Sequence, residues 1–328
     1  VKISAIVTCY NVEEYVAITL QSVLDCGFDD LELIVVDDCS NDGTQAIIKA
    51  IADDRQDVTI KPVFFSKNTI GGVATAANAG LDLATGDIVL FVDGDDWVIP
   101  KYTKQAVEML WKSEADFIVC NCSEYWNHDG KYSQYPEHHL WGQVAAEWRT
   151  DRLRNTLLEM APFPWRKIYR RSFLEEKAIR FPVGDFFFED NPFHWETTTK
   201  ADKFLFLNEI THVHRMNRTG QTIGASGTRF IKIFDHAQIM LDKLKKDDLF
   251  ESYKKDYAKW LYKHILWCSR YVPPGFLNEV FERANPLLKE LPAQTFWEVV
   301  STSGYNAKDV RKIAAIFLNK RFEFLQEF

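Results

Sequence analysis

Apolar residues along the first third of the chain fall into short continuous runs, each ending abruptly in polar or acidic residues. Strand-like runs at 3–9, 32–37, 58–65, 87–92 and 116–121 alternate with helical stretches near 13–25, 43–53, 72–84 and 101–113. Continuous apolar runs of this length fit strands buried on both faces, and the alternation predicts an α/β fold, a mainly parallel sheet with helices on both faces. Asn41-Asp42-Gly43-Thr44 supplies turn and cap chemistry, and Gly71-Gly72 opens the next helix. Residues 122–150 break this rhythm with Asn, His, Gly, Pro and three Trp, and are expected to form an irregular excursion where specificity is set. Strand and turn character returns over 161–190, and a helix is expected from Pro192, since proline suits a first turn. From about residue 229 onward the pattern is helical. Around 254–270, Tyr257, Trp260, Leu261, His264, Ile265 and Trp267-Cys268 fall on or near one side. That stripe fits packing against the rest of the protein, or a membrane-surface or dimer contact.

The strand ends carry the chemistry. Ile88-Val89-Leu90-Phe91-Val92 runs directly into Asp93-Gly94-Asp95-Asp96, so a buried strand closes on three carboxylates. Removing such a cluster from water is costly without a compensating cation, which suggests a hard-metal site at the carboxyl end of a strand, where open α/β sheets bind ligands. A solvated acidic turn is the alternative. Two other strands end similarly, in Thr8-Cys9-Tyr10-Asn11 and in Asp37-Asp38-Cys39-Ser40.

With 328 residues the chain can hold one large domain or two small ones. Its net charge of −8 argues against a nucleic-acid partner. Six cysteines, without the spacing of a disulfide scaffold, are expected to be reduced, with Cys120 and Cys122 in the core rather than on zinc. No stretch approaches the roughly 20 apolar residues of a membrane span. A cytoplasmic protein is expected, with peripheral contact at the inner face of the cell membrane left open. Aromatic content is 14 %, and its uses are core, sugar stacking or a membrane-facing patch.

Several motifs stand in the order found in family-two glycosyltransferases of the GT-A fold. They are Val7-Thr8-Cys9-Tyr10-Asn11, Val36-Asp37-Asp38-Cys39-Ser40-Asn41-Asp42-Gly43-Thr44, Ala76-Ala77-Asn78-Ala79-Gly80-Leu81, Gly86-Asp87 and Asp93-Gly94-Asp95-Asp96. Pro164-Trp165-Arg166-Lys167-Ile168-Tyr169-Arg170-Arg171, Phe188-Glu189-Asp190, and His214-Arg215 followed by Gly220-Gln221-Thr222 resemble the second half of bacterial members. The resemblance covers residues 1 to about 225. It implies a GT-A catalytic domain over 1–225, with 122–150 as the acceptor region, and a helical C-terminal region over 226–328.

The roles it implies are specific. Thr8, Tyr10, Asn11 and Asp38 would line the nucleotide base pocket, and a carboxylate there suits the ring N–H of uracil, making UDP the expected nucleotide. Asp93 would hold the ribose or reach the metal, and Asp95 would ligate Mn²⁺ or Mg²⁺ on the diphosphate. Asp96 is expected at most to support the turn. Asp190 would be the catalytic base of an inverting displacement, at a helix start that favours its ionised form. His214 is a candidate metal ligand, and Arg215 and Arg218 are candidate diphosphate contacts. Glu189, Trp165 and Lys167 are candidates for acceptor or donor sugar. Where many relatives carry Arg before the Asn-x-Gly of the third helix, this chain has Ala77, which leaves the identity of the base less determined. The expected activity is metal-dependent transfer of a sugar from a nucleotide donor to a saccharide or lipid-linked acceptor in polysaccharide assembly. A sugar-phosphate nucleotidyltransferase and a non-catalytic glycan-binding relative are the alternatives.

Overall fold

A computed structural model describes residues 1–69, 72–146, 150–185, 188–218 and 227–328. They fall into two compact units, one holding residues 1–185 and 189–218, the other Phe188 with 227–328.

In the first unit, β1 (Ile3–Cys9), β2 (Leu31–Asp37), β3 (Thr59–Phe64) and β4 (Ile88–Asp93) alternate with α1 (Val16–Leu24), α2 (Thr44–Asp54) and α3 (Val73–Leu83). All four strands are parallel, with Ile3 opposite Leu31 on one side and Ile88 on the other. β1 and β2 are buried along their whole length, which is why they read as unbroken apolar runs rather than alternating ones.

The second half of this unit contributes β5 (Trp97–Val98), α4 (Pro100–Trp111), β6 (Phe117–Trp126), β7 (Lys131–Gln134), α5 (His138–Ala146), α6 (Thr150–Glu159), β8 (Lys167–Arg170), α7 (Arg171–Glu176), α8 (Asp190–Lys200) and β9 (Phe204–Met216). The sheet order is β3-β2-β1-β4-β8-β6-β9-β5, with β7 paired to β6. β8 is antiparallel to both of its neighbours, so the sheet is mixed at its centre. Side chains from alternate positions form two cores. Val7, Leu20, Leu33, Leu90 and Val107 pack on one face, and Ile6, Val36, Phe91, Tyr169 and Phe193 on the other.

The described part of the segment 122–150 is more regular than its composition suggests. β6 continues to Trp126, turns through Asp129-Gly130 with Gly130 at φ +69°, and returns as β7. Asp-Gly is a hairpin signal, hidden here because the end of β6 and all of β7 carry polar and aromatic residues without an apolar alternation. α8 starts at Asp190, two residues before Pro192.

The second unit contains α9 (Ile233–Lys246), α10 (Phe250–Tyr271), α11 (Leu277–Lys289), α12 (Ala293–Thr302), α13 (Ala307–Phe317) and α14 (Arg321–Leu325). Tyr257, Leu261, Ile265 and Cys268 put the apolar side of α10 in the interior. Phe296 of α12 stacks on Phe317 of α13 at 3.8 Å between ring centroids. Among the described residues no helix is long and apolar enough to cross a membrane.

Candidate active site

The site is assembled where β1 and β4 end side by side, with Thr8 paired opposite Asp93. The Thr8 hydroxyl lies 3.4 Å from Asp93 Oδ1, and the Gly94 N–H donates to Thr8 O at 2.9 Å. A Cβ at Gly94 would come within 2.8 Å of Cys9 Sγ and 2.9 Å of Thr8 O, so only glycine allows the two strand ends to approach this closely. The Thr19 hydroxyl of α1, 2.9 Å from Gly94 O and 2.6 Å from Asp96 O, fixes the far side of the turn.

Asp96 organises the tetrad. β9 runs beside β5, pairing Val98 with His212, and thereby brings two imidazoles to this carboxylate. His212 Nε2 and His214 Nδ1 lie 3.0 and 2.9 Å from Asp96 Oδ2, and the Arg215 N–H donates to Oδ1 at 2.8 Å. Burial works against the charge on Asp96, but the two histidines more than reverse that effect and hold its carboxyl below the ordinary range. Burial lowers His212, whereas for His214 the Asp96, Asp93 and Asp95 carboxylates outweigh burial and raise it to about 9. Trp165 stacks on both rings, 4.3 Å from His212 and 5.5 Å from His214. The expectation that Asp96 merely supports a turn understates it, since it is the fixed anion beneath the site. His214, expected as a metal ligand, holds Asp96 through Nδ1 and would have to lose its proton before ligating a metal.

Asp93 and Asp95 face the opposite situation. Burial raises both carboxyls, and repulsion among Asp93, Asp95 and Asp96 raises them further. Arg218 ion-pairs with Asp95 Oδ2. Arg215 is buried, with Nε donating to Asp95 O at 2.8 Å and Nη1 to Asn127 Oδ1 at 3.0 Å. Its guanidinium sits 4.4, 4.9 and 5.4 Å from the ring centroids of Tyr15, Trp97 and Tyr125. Any diphosphate contact by Arg215 would therefore require it to leave established partners. Among the described residues no three His, Cys, Asp or Glu side chains converge as a ready-made metal cage. The carboxylate pair nevertheless fits a hard divalent cation of the kind that takes one or two carboxylates and completes its shell with phosphate oxygens and water.

Asp38 is buried at the end of β2. It accepts from Thr69 N at 2.9 Å, and from Asn68 Nδ2 and Thr69 Oγ1 at 3.0 Å each. Burial raises its carboxyl despite those bonds. The oxygens expected to meet a nucleotide base are thus already engaged by Asn68 and Thr69. Tyr10 is 46 % exposed. Asn11 adopts φ +50° and accepts from Asn41 N at 2.9 Å, which ties the ends of β1 and β2 together.

Glu189 and Asp190 open α8. Against the expectation that the helix start favours its ionised form, Asp190 is raised to about 8, chiefly by burial and then by the charge of Glu189, with Lys167 and His214 opposing. Burial likewise raises Glu189 to about 7, partly offset by the backbone N–H of Val73. Asp190 also contributes to the repulsion felt by Asp93, so base candidate and acidic tetrad share one electrostatic field.

Two sugar candidates point inward instead. Lys167 is fully buried on β8, its ammonium donating to Phe163 O at 2.9 Å, because the 162–165 turn directs its carbonyls at it. Trp165 is covered by Phe163 on one side, at 4.5 Å, besides its stack on His212. Both are internal supports of the site. The buried ion pair of Arg166 and Glu137, at 2.6 Å, carried no sequence signal, since its partners are 29 residues apart in a stretch without periodicity.

A sheet of this order, whose strand ends gather three carboxylates in one turn near further carboxylates at a helix start, is of the GT-A type. The sequence profile of Glycosyl transferase family 2 matches residues 4–177, over half of the chain, and the protein belongs to that family. EpsH of Bacillus subtilis (strain 168), itself assigned as a glycosyltransferase only provisionally, is 28 % identical over 97 % of this chain and 91 % of its own length. The poly(ribitol-phosphate) β-N-acetylglucosaminyltransferase TarS of Staphylococcus aureus (strain Mu50) is 26 % identical over 80 % of the chain, which spans 44 % of TarS. The crystal structure of TarS 1–349 with UDP-GlcNAc superposes with a TM-score of 0.80 at 21 % identity, covering all of this chain and 90 % of that one. Glucosyl-3-phosphoglycerate synthase of Mycobacterium tuberculosis, solved with Mn²⁺, UDP and phosphoglyceric acid, has a TM-score of 0.50 at 21 % identity. It covers 73 % of this chain and 78 % of its own.

Proposed function

We propose that the protein transfers a sugar, with inversion, from a UDP-sugar to a saccharide or lipid-linked acceptor during polysaccharide assembly, and that the transfer needs Mn²⁺ or Mg²⁺. The observation that carries this reading is the common field of Asp93, Asp95 and Asp190. Asp93 and Asp95 would hold the divalent ion, and a bound cation there neutralises charge on the departing diphosphate. Thr8, Tyr10 and Asn11 would take the nucleoside end, while Arg218, ion-paired with Asp95, would exchange it for a phosphate oxygen. Asp190, with a carboxyl near neutral pH, takes the proton of the acceptor hydroxyl as that oxygen attacks the anomeric carbon from the face opposite the diphosphate. UDP-GlcNAc in the TarS complex and Mn²⁺ with UDP in the glucosyl-3-phosphoglycerate synthase complex support the donor class and the ion. Catalysis is assigned to residues 1–225.

Thermal shift with UDP, GDP, dTDP and CMP, each with and without Mn²⁺, tests the donor site. Stabilisation by UDP that depends on Mn²⁺ is expected, through preferential binding to the folded state. No response to any nucleotide would remove the reading. Asp190→Asn should abolish transfer while retaining the UDP response.

A further inference from the structure

Away from the carboxylate site, the first unit contains a cavity of about 540 Å³. This volume lies within the range of small-molecule pockets. It is created by an irregularity in the sheet. Cys120 of β6 pairs with Leu207 of β9, but the next residue, Asn121, pairs with Ile210, so Asn208 and Glu209 are left without partners on β6. Bulges of this kind re-aim side chains, and here both extra residues line the cavity. Asn121 Nδ2 donates to Asn208 Oδ1 at 2.8 Å across the bulge.

The lining has a consistent chemistry. Tyr102, Tyr135 and Trp141 supply aromatic surface, and Asn121, Gln134 and Asn208 supply amides that both donate and accept. Trp141 is 4 % exposed, and its indole N–H is buried, without a hydrogen-bond partner among the described residues. Among the described residues that line the cavity none is Lys or Arg, and Glu209 is the charged one. Flat rings beside bidirectional amides suit a ring with an apolar C–H face and hydroxyls at its edge, and among the described lining residues nothing supplies a cation for a phosphate or carboxylate.

We propose that this cavity is a second saccharide site, holding a neutral sugar unit of the acceptor remote from the hydroxyl that is glycosylated. β6 links the two places. Asn121 lines the cavity, and Tyr125, four residues on or about 13 Å along an extended strand, packs on the Arg215 guanidinium beside Asp95. The site would favour acceptors longer than one sugar. The inference rests on the transferase reading, and its test is independent of donor binding.

The full chain is probed without nucleotide on an array of neutral and anionic oligosaccharides. Gly142, on α5 at the cavity wall, is exposed, and a Cβ there would meet no atom within 4 Å, so Gly142→Trp can fill the space without disturbing the fold. Retention of neutral oligosaccharides by the native chain is expected, with at least a tenfold loss in Gly142→Trp and an unchanged thermal response to UDP with Mn²⁺. If Gly142→Trp does not fold, Asn208→Ala, at an exposed position, takes its place with the same expected loss. Failure to retain any neutral glycan, preference for anionic ones, or equal retention by the variant would each overturn the proposal. Loss of the UDP response in the native chain would instead count against the transferase reading alone.

Discussion

Asp96 Oδ2 lies 2.9 Å from Nδ1 of His214, across 118 residues of chain, and this contact closes the carboxylate tetrad onto β9. Because Asp96 is 1 % exposed, its charge depends on its partners. Replacing it by Ala would leave a charged imidazole facing an apolar gap, and breaking a buried charge pair costs about 3–5 kcal/mol. Asp96→Ala should lose about that much in urea unfolding. A loss below 1 kcal/mol would show that His212 and His214 do not need this anion.

The raised carboxyl of Asp190 sets a pH dependence for turnover. A base must be ionised to act, so kcat/KM should climb about tenfold per pH unit below the Asp190 value of about 8 and level off above it. A profile that stays flat between pH 6 and 9 would take the proton transfer away from Asp190.

The same carboxyl should destabilise the ligand-free fold. In the unfolded chain it ionises near pH 4, but in the folded protein only near 8, so the folded state binds the extra proton between those values. Stability from this group is therefore full below about pH 4 and declines as pH rises towards 8, at up to about 1.4 kcal/mol per pH unit. Asp190→Asn should be inactive yet more stable than the native chain at pH 8, and its stability should vary less between pH 5 and 8. Equal slopes for the two proteins in guanidinium titrations at several pH values would contradict this.

Glu32 gives the opposite sign. Its fully buried carboxylate accepts from Ser4 Oγ at 2.5 Å, Thr85 N at 2.6 Å, Gly86 N at 3.1 Å and Lys61 Nζ at 2.8 Å. Burial opposes its charge, but Lys61, Ser4 and Thr85 hold the carboxyl below its usual range. The stability it provides is present above about pH 4 and is lost as pH falls further. Glu32→Leu should cost about 3 kcal/mol or more at pH 7 by orphaning those donors, and should flatten the acid limb of the unfolding curve. Calorimetry from pH 3 to 7 would decide, and an unchanged acid limb would refute the assignment.

The parallel half of the sheet is legible in the sequence because β1, β2 and β4 are mostly apolar, Ser4 and Glu32 apart, and each ends in polar residues. Asp93, Asp95 and Asp190 could be singled out for the same reason, since carboxylates at strand and helix ends are conspicuous. β8 was harder to place. Lys167-Ile168-Tyr169-Arg170 looks amphipathic and peripheral, yet it occupies the centre of the sheet, where burial pushes Lys167 towards its neutral form and its Nζ donates to the turn carbonyls of Pro162 and Phe163. The role of Asp96 was equally hidden, as it depends on His212, whose approach is set by the antiparallel pairing of β5 with β9. Such long-range pairings leave no local periodicity to read.

The distance in sequence between the tetrad and β9 also has a consequence for the order of synthesis. As the chain emerges from the ribosome, β1 to β4 are complete by residue 93, but the imidazoles and guanidinium that compensate the acidic turn arrive only with residues 212–218. For more than a hundred residues of elongation the carboxylates stand without their cationic partners. A nascent chain can therefore form half of its sheet early, yet it acquires the finished electrostatics of the acidic turn only once β9 has been added.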